Sequence, residues 1–461
     1  MDLFGGVSKI FKIRRNGKFL LRKGRDKMSA VTLPELPREK EFEEYVAAVL
    51  QTCGYFVERN ITEREAEEVL ELDVIATRYH SQRNESPELF LVEAKSGDWG
   101  FPDIFKIKGW MVYLNIPNGK LVVQRPKDNI DFHKAIAKRL GIQLLVIEDF
   151  EKNNELLKEV RCAELDTFDI SIWRFSFWLE RKLKERLKQQ KKSMGVRRFI
   201  EMEKYYFEIN DRLFFIENII SRLDRLYALF HEYANISAKA ANEMIGGDYD
   251  GGVDEIPGIV YDRTYYKCEY NEIQTAAFIE HKSRLAVLKC AVDYILYRRA
   301  EDESRTEDIN ILGNISLTST FPSSLRRALG ILENHEYLYK YPEFWQWFLW
   351  VFGGFILTDR AEQEYELLSR KTGLPANEVE NALSIYDELF PTEGGWFRNL
   401  GPNSNILLLK NFSVPFMGIG AFYRRGIYST EQNLEDLGLG GAYTIKDLAK
   451  WNDMAYKILK G

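Results

Sequence analysis

Cysteine is scarce in this chain: Cys53, Cys162, Cys268 and Cys290 are the only four in 461 residues, and none belongs to a C-x-x-C pair. Such spacing excludes a zinc knuckle and a disulfide framework, and leaves small buried hydrophobes. His80, His133, His231, His281 and His335 include no i, i+4 pair, so no helical zinc site is encoded. Long apolar runs are also missing. No window reaches the roughly 18 uncharged apolar residues of a membrane span, and the nearest, Phe344 to Leu357, is interrupted by Gln346 and Gly353-Gly354. The positive N-terminus is followed by no apolar stretch with a small-residue cleavage site, so the chain reads as cytoplasmic, with no membrane partner. With 13 Pro and 31 Gly it is neither collagenous nor of low complexity, and no repeat recurs at a fixed period.

What is present is an ordinary globular composition, 45% hydrophobic and 29% charged, rich in aromatics at 13%. Single cores stop growing at roughly 250–300 residues, so at least two domains are expected. The net charge of −6 argues against wholesale coating of nucleic acid, yet it hides two basic segments. Residues 1–30 hold nine Lys/Arg against Asp2 and Asp26, and residues 180–198 hold nine against Glu180 and Glu185.

Periodicity gives the organisation. Two β-prone runs flank Asn16-Gly17, the strongest local hairpin signal. Arg14, Arg15 and Lys18 make this hairpin basic, either a flap that contacts phosphates or a solvated edge ribbon. Beyond Pro34 and Pro37, residues 38–53 place Phe42, Val46, Val49, Leu50 and Cys53 on one face of an amphipathic helix that stops at Gly54. Strands are expected at 55–61, 71–78 and 88–94, a charged loop at 63–68, a helix at 104–114, a strand at 120–124, a helix at 132–140 and a strand at 142–147. The order α-β-β-β-α-β-α-β reads as a compact α/β domain over 34–150. A basic extension over 1–33 precedes it. Basic bridging helices over 151–198 and a mostly α-helical domain over 199–461 follow, with helical periods at 154–163, 172–192, 200–236 and 272–300.

The string that carries chemistry is Phe90-Leu-Val-Glu93-Ala-Lys95, an apolar strand that ends in charge. Period-two geometry puts Leu91, Glu93 and Lys95 on one face. On the preceding strand Asp73 interrupts an apolar run, and hairpin pairing around 80–87 brings it towards Glu93. Two converging carboxylates repel and are costly as pure structure unless a cation compensates. Oxygen-only ligands favour Mg²⁺, which accepts one or two carboxylates plus phosphate oxygens. Lys95 can then assist an activated water, and the reaction class that fits is hydrolysis of a phosphodiester. Glu43, about 90° from the centre of the first helix's apolar face, is a candidate for the same site, against the plainer reading of a solvated flanking Glu; Glu44 points to the opposite side.

Together, Glu43 in the first helix, Leu72-Asp73-Val74-Ile75-Ala76 on one strand and Glu93-Ala94-Lys95 on the next resemble the PD-(D/E)XK nuclease superfamily, the restriction-endonuclease-like fold. The Mrr-like and Holliday-junction-resolvase-like branches are the most similar. Phe42-Glu43, followed by Gly54-Tyr55-Phe56-Val57, is similar to their helix-to-strand junction. The resemblance covers residues 38–148. It implies a metal-dependent endonuclease acting on DNA, with Asp73 and Glu93 as metal ligands, the Ala94 carbonyl as a further ligand, Lys95 beside the nucleophile and Mn²⁺ able to replace Mg²⁺. It also implies a role in defence against foreign DNA. Many relatives carry a Gln on the next helix; residues 103–113 have none, and Lys106 or Lys108 is the candidate for phosphate binding instead.

Other motifs are weaker. Asp248 to Glu255 lacks the oxygen donor a calcium loop needs at its fifth position, where Gly252 stands, and reads as a plain acidic loop. Gly438-Leu-Gly440-Gly441 follows no strand and is no dinucleotide fingerprint. The aromatic run Tyr337 to Phe355 reads as helix core. A rival account from another class makes the protein a non-catalytic scaffold, its nuclease-like domain holding nucleic acid and its helical C-terminal domain docking a protein partner or a second copy.

Overall fold

The computed structural model describes residues 11–14, 18–21, 38–64, 68–79, 87–149, 155–159, 169–170, 173–174, 176–178, 180–181, 205, 207–215, 218–230, 270–304, 321–352, 355–357, 361–390, 397–399 and 406–409. Contacts divide the chain into two compact units, one of residues 1–60, 72–78 and 88–179, the other of 61–71, 79–87 and 180–461.

Near the N-terminus β1 (Phe11–Arg14) and β2 (Lys18–Leu21) pair antiparallel, with Arg14 opposite Lys18. Arg15 and the Asn16-Gly17 turn lie outside the described residues. Then follow α1 (Lys40–Thr52), β3 (Phe56–Arg64), β4 (Glu68–Arg78), β5 (Glu88–Lys95), α2 (Phe101–Tyr113), β6 (Asn118–Val123), α3 (Ile130–Arg139) and β7 (Ile142–Val146). This is the expected order of elements. The five strands form one mixed sheet in the order β3-β4-β5-β6-β7, antiparallel between β4 and β5 and parallel from β5 to β7. Parallel neighbours require crossovers, and α2 and α3 supply them.

Two glycines set the local geometry. Gly54, at φ 87, turns the chain out of α1 in the left-handed region that side chains avoid. At Gly119 a Cβ would stand 2.6 Å from Met111 Sδ and 3.1 Å from Ile107 Cγ2, so its absence lets α2 rest on β6.

The first helix departs from expectation. Instead of one apolar face and one solvated face, every residue from Phe42 to Thr52 is buried, including Glu44 at 2% exposure. Distant chain covers its polar side. The Arg174 guanidinium lies 5.6 Å from the Tyr45 ring centroid, and the charges of Glu44 and Glu41 act on it. Trp173, Phe177 and Trp178 are buried too, with Arg59 over the Phe177 ring at 4.7 Å. Ile170, Trp173, Phe177 and Trp178 thus belong to the core of the first unit.

In the second unit the described residues are largely helical, with helices over Tyr270–Ser304, Ser323–Asn334, Ala361–Thr372 and Val379–Leu389. The aromatic run is core as expected: Phe344, Trp345, Trp347, Phe348 and Phe352 are buried on a helix that continues as a π turn over Trp347–Val351. A feature the periodicity missed is a three-stranded antiparallel sheet of Phe355–Leu357, Ile406–Leu409 and Phe397–Asn399. No helix among the described residues is long and apolar enough to cross a membrane. Cys53 and Cys290 are buried, their thiols donating to the Leu156 and Ile219 carbonyls at 4.0 and 3.9 Å. The acidic loop at 248–255, the Gly438 segment, Cys162, Cys268, His80 and His231 lie outside the described residues.

Candidate active site

The site forms where β4 and β5 part. Their antiparallel ladder runs from Arg78 opposite Glu88 to Val74 opposite Val92. One step further the same register would set Asp73 opposite Glu93, on one face of the sheet. Pairing has ended there, and the Asp73 carboxylate replaces it: Oδ2 accepts the Ala94 N–H at 3.2 Å. A strand end is thereby fixed by a side chain, which orients the carboxylate.

Glu93 is 1% exposed. Its Oε1 takes two ammonium groups, Lys95 Nζ at 2.6 Å from the same strand and Lys106 Nζ at 3.0 Å from α2. Its Oε2 is buried and has no hydrogen-bond partner among the described residues. An unsatisfied carboxylate oxygen in a buried place is expensive, and it marks where a donor or cation fits. Glu43, also buried, enters from the first turn of α1 with Lys40 Nζ 3.1 Å from its Oε2.

Electrostatics joins these groups. Burial first, then the charges of Glu93 and Glu43, push the Asp73 carboxyl up to about 7, against the opposing effects of the Ala94 N–H and Lys40. Burial alone would lower Lys95, but its hydrogen bond to Glu93 and the charges of Glu93, Asp73 and Asp103 hold it above the ordinary lysine value. Lys95 therefore stays charged through the neutral range.

The carboxylates Glu43, Asp73 and Glu93, together with Lys95, are brought to one place, at the end of β5. Among the described residues no group of three or more His, Cys, Asp or Glu is arranged so as to hold a metal ion. One oxygen of Glu93 is turned to two lysines.

Lys106 is the residue whose role the sequence only half revealed. It was a candidate for phosphate, and it stands on Glu93 itself, with its ammonium also 4.0 Å from the Trp110 ring centroid. The signal was its place in the second turn of the helix that follows the Glu-x-Lys strand. Lys108 lies roughly 200° further round α2, on a different face. Arg14 and Lys18 are register partners beside the hairpin turn. His133 is a ring-stacking residue, 4.5 Å from Phe101 and nearly parallel to it. His335 sits 3.5 Å from Glu378 in the second unit. No protein-family model, curated protein or solved structure matched this chain.

Proposed function

We propose that the domain over residues 34–150 is the catalytic part of a divalent-metal-dependent endonuclease that hydrolyses DNA phosphodiester bonds. One observation carries this reading: Glu93 is buried with one oxygen unsatisfied, beside an Asp73 carboxyl that burial and like charge raise to about 7. Acidic groups held together at such cost are characteristic of a site rather than of a scaffold.

Asp73, Glu93 and the Ala94 backbone carbonyl would hold the ion, with Glu43 at its edge. Bound Mg²⁺, or Mn²⁺ in its place, supplies positive charge against the carboxylates and makes water a better nucleophile. The chain's own groups do the rest. Asp73 is oriented by the Ala94 N–H, so it needs no reorganisation when the substrate arrives. Lys95 offers a charged donor to the phosphate oxygen on which negative charge develops. Lys106, 41% exposed, gives a second cation to a neighbouring phosphate. Water's oxygen forms the new bond to phosphorus, the bond to one sugar oxygen breaks, and that oxygen leaves with a proton.

A second reading, nucleic-acid binding without catalysis, draws on a different observation. Three carboxylates stand near three ammonium groups, those of Lys40, Lys95 and Lys106, so the cluster is close to neutral without any ion. Titration with Mn²⁺ separates the two. Calorimetry should show Mn²⁺ bound by the wild-type protein and not by Glu93→Ala or Asp73→Ala; equal binding by all three would end the nuclease assignment.

A further inference from the structure

The outer face of α2 is unusual for a helix beside a charged site. Phe105, Val112 and Tyr113 are 57%, 68% and 57% exposed, and Phe132 on α3 is 59% exposed. Single exposed apolar residues are ordinary, but these are contiguous. Phe101, Phe105 and Val112 recur at i, i+4 and i+11, one line along the helix, and Lys106 and Tyr113 at i, i+7 form a second line roughly 100° round, with Gly109 between the two. At the helix start the Phe132 ring packs edge-on to Phe101 at 5.9 Å, extending the line of rings onto α3. Gly109 leaves the middle open, since a Cβ there would meet nothing within 4 Å.

On α2 itself basic side chains, Lys106 and Lys108, prevail, whereas at the start of α3 Asp128 and Asp131 are exposed near Phe132. The only acid of α2, Asp103, is turned back to accept the Gly100 N–H at 2.8 Å. Lys106 borders the rings on the side of the candidate active site and touches Glu93. At the other end Lys127 lies 5.7 Å from the centroid of the buried Trp99 ring and is paired with Asp98 at 3.1 Å. Exposed rings on α2 and α3, bordered by Lys106 where it reaches Glu93, are complementary to a strand whose bases are open for stacking and whose backbone is anionic. An intact duplex hides the faces of its bases and offers only edges and phosphates.

We infer that this face of α2 and α3 is a base-stacking platform, and that the site takes its substrate as single-stranded or unpaired DNA. The inference rests on the nuclease reading for the choice of DNA, and it specifies the form of the strand. The test uses the full-length protein in EDTA, with a fluorescently labelled single strand, the same sequence as a duplex, and an abasic strand of equal length. Wild type should prefer the single strand, and abasic DNA should lose that preference. Phe105→Ala and Phe132→Ala should each weaken single-strand binding roughly fivefold to a hundredfold, the range for one lost stack, while duplex affinity stays within about twofold; Phe105→Trp should retain it. Equal loss for both DNA forms, or no loss, would overturn the platform. So would conversion of an oligomer to a monomer by these substitutions with single-strand affinity unchanged, which would assign the face to a second copy of the chain. Cleavage that needs metal but ignores Phe105→Ala would leave the nuclease reading standing and remove the platform. Selective stacking without any cleavage would do the reverse.

Discussion

Replacing Asp73 by Asn should stabilise the metal-free protein at high pH and not at low pH. The carboxyl is raised from 3.8 to about 7, mainly by burial and then by Glu93 and Glu43. For an acid raised on folding, the folded state holds its proton more tightly than the unfolded chain does. Stability due to protonated Asp73 is therefore fully present below 3.8, is lost progressively as pH rises, and has gone above about 7. Roughly three units at about 1.36 kcal/mol each give a loss of about 4 kcal/mol. Asn removes the charge and keeps an oxygen to accept the Ala94 N–H, although its amide hydrogens, if left without acceptors, cost about 1–3 kcal/mol. With an amide cost of about 2 kcal/mol, the variant should thus be about 2 kcal/mol less stable than wild type near about pH 4 and about 2 kcal/mol more stable near about pH 8. The change between the two pH values, about 4 kcal/mol, is independent of the amide cost. Urea unfolding in EDTA at each pH reads the difference, and hydrogen exchange in β4 and β5 localises it. A stability difference that does not move with pH would refute the electrostatic reasoning.

Two further outcomes follow from the same geometry. Lys95→Ala should leave DNA affinity within a few-fold and cut single-turnover cleavage by about a hundredfold or more, because Lys106 remains to hold phosphate; a defect rescued by more protein would assign Lys95 to binding instead. Deleting residues 1–30, with their excess of basic residues, should weaken DNA binding and flatten the log–log salt dependence while cleavage of short substrates persists. An unchanged salt slope would make that segment solvated surface.

Much of the first unit was legible because its strands and helices bury one set of residues at regular spacing. The convergence of Asp73 on the end of β5 could be read from hairpin register, which sums the positions of β4 and β5 correctly up to Val74 and Val92. Strand lengths were not legible. Residues 63–64 and 68, expected in a charged loop, continue β3 and β4, and β4 starts three residues before the expected strand at 71–78, since charged side chains along a strand look the same as a loop to a hydrophobicity pattern. The burial of Glu44 was invisible for another reason: the residues that cover it, around Arg174, are more than a hundred positions away. The pairing of Lys106 with Glu93 depends on how α2 is rotated on the sheet. That rotation is fixed by Ile107 and Met111 seating on Gly119, a fit of shapes that no periodicity encodes. Helical periods in the second unit said nothing of its small sheet, whose strands of three or four residues are too short to show alternation.

We propose that the cluster at the end of β5 hydrolyses DNA with a divalent cation. Its most direct test is an assay of the wild-type protein and Glu93→Ala on labelled single-stranded and duplex DNA, with Mg²⁺ and with EDTA. Cut strands are expected from wild type in Mg²⁺ alone, and none from wild type in EDTA or from Glu93→Ala in either condition. Undiminished cleavage in EDTA, or by Glu93→Ala, would contradict it.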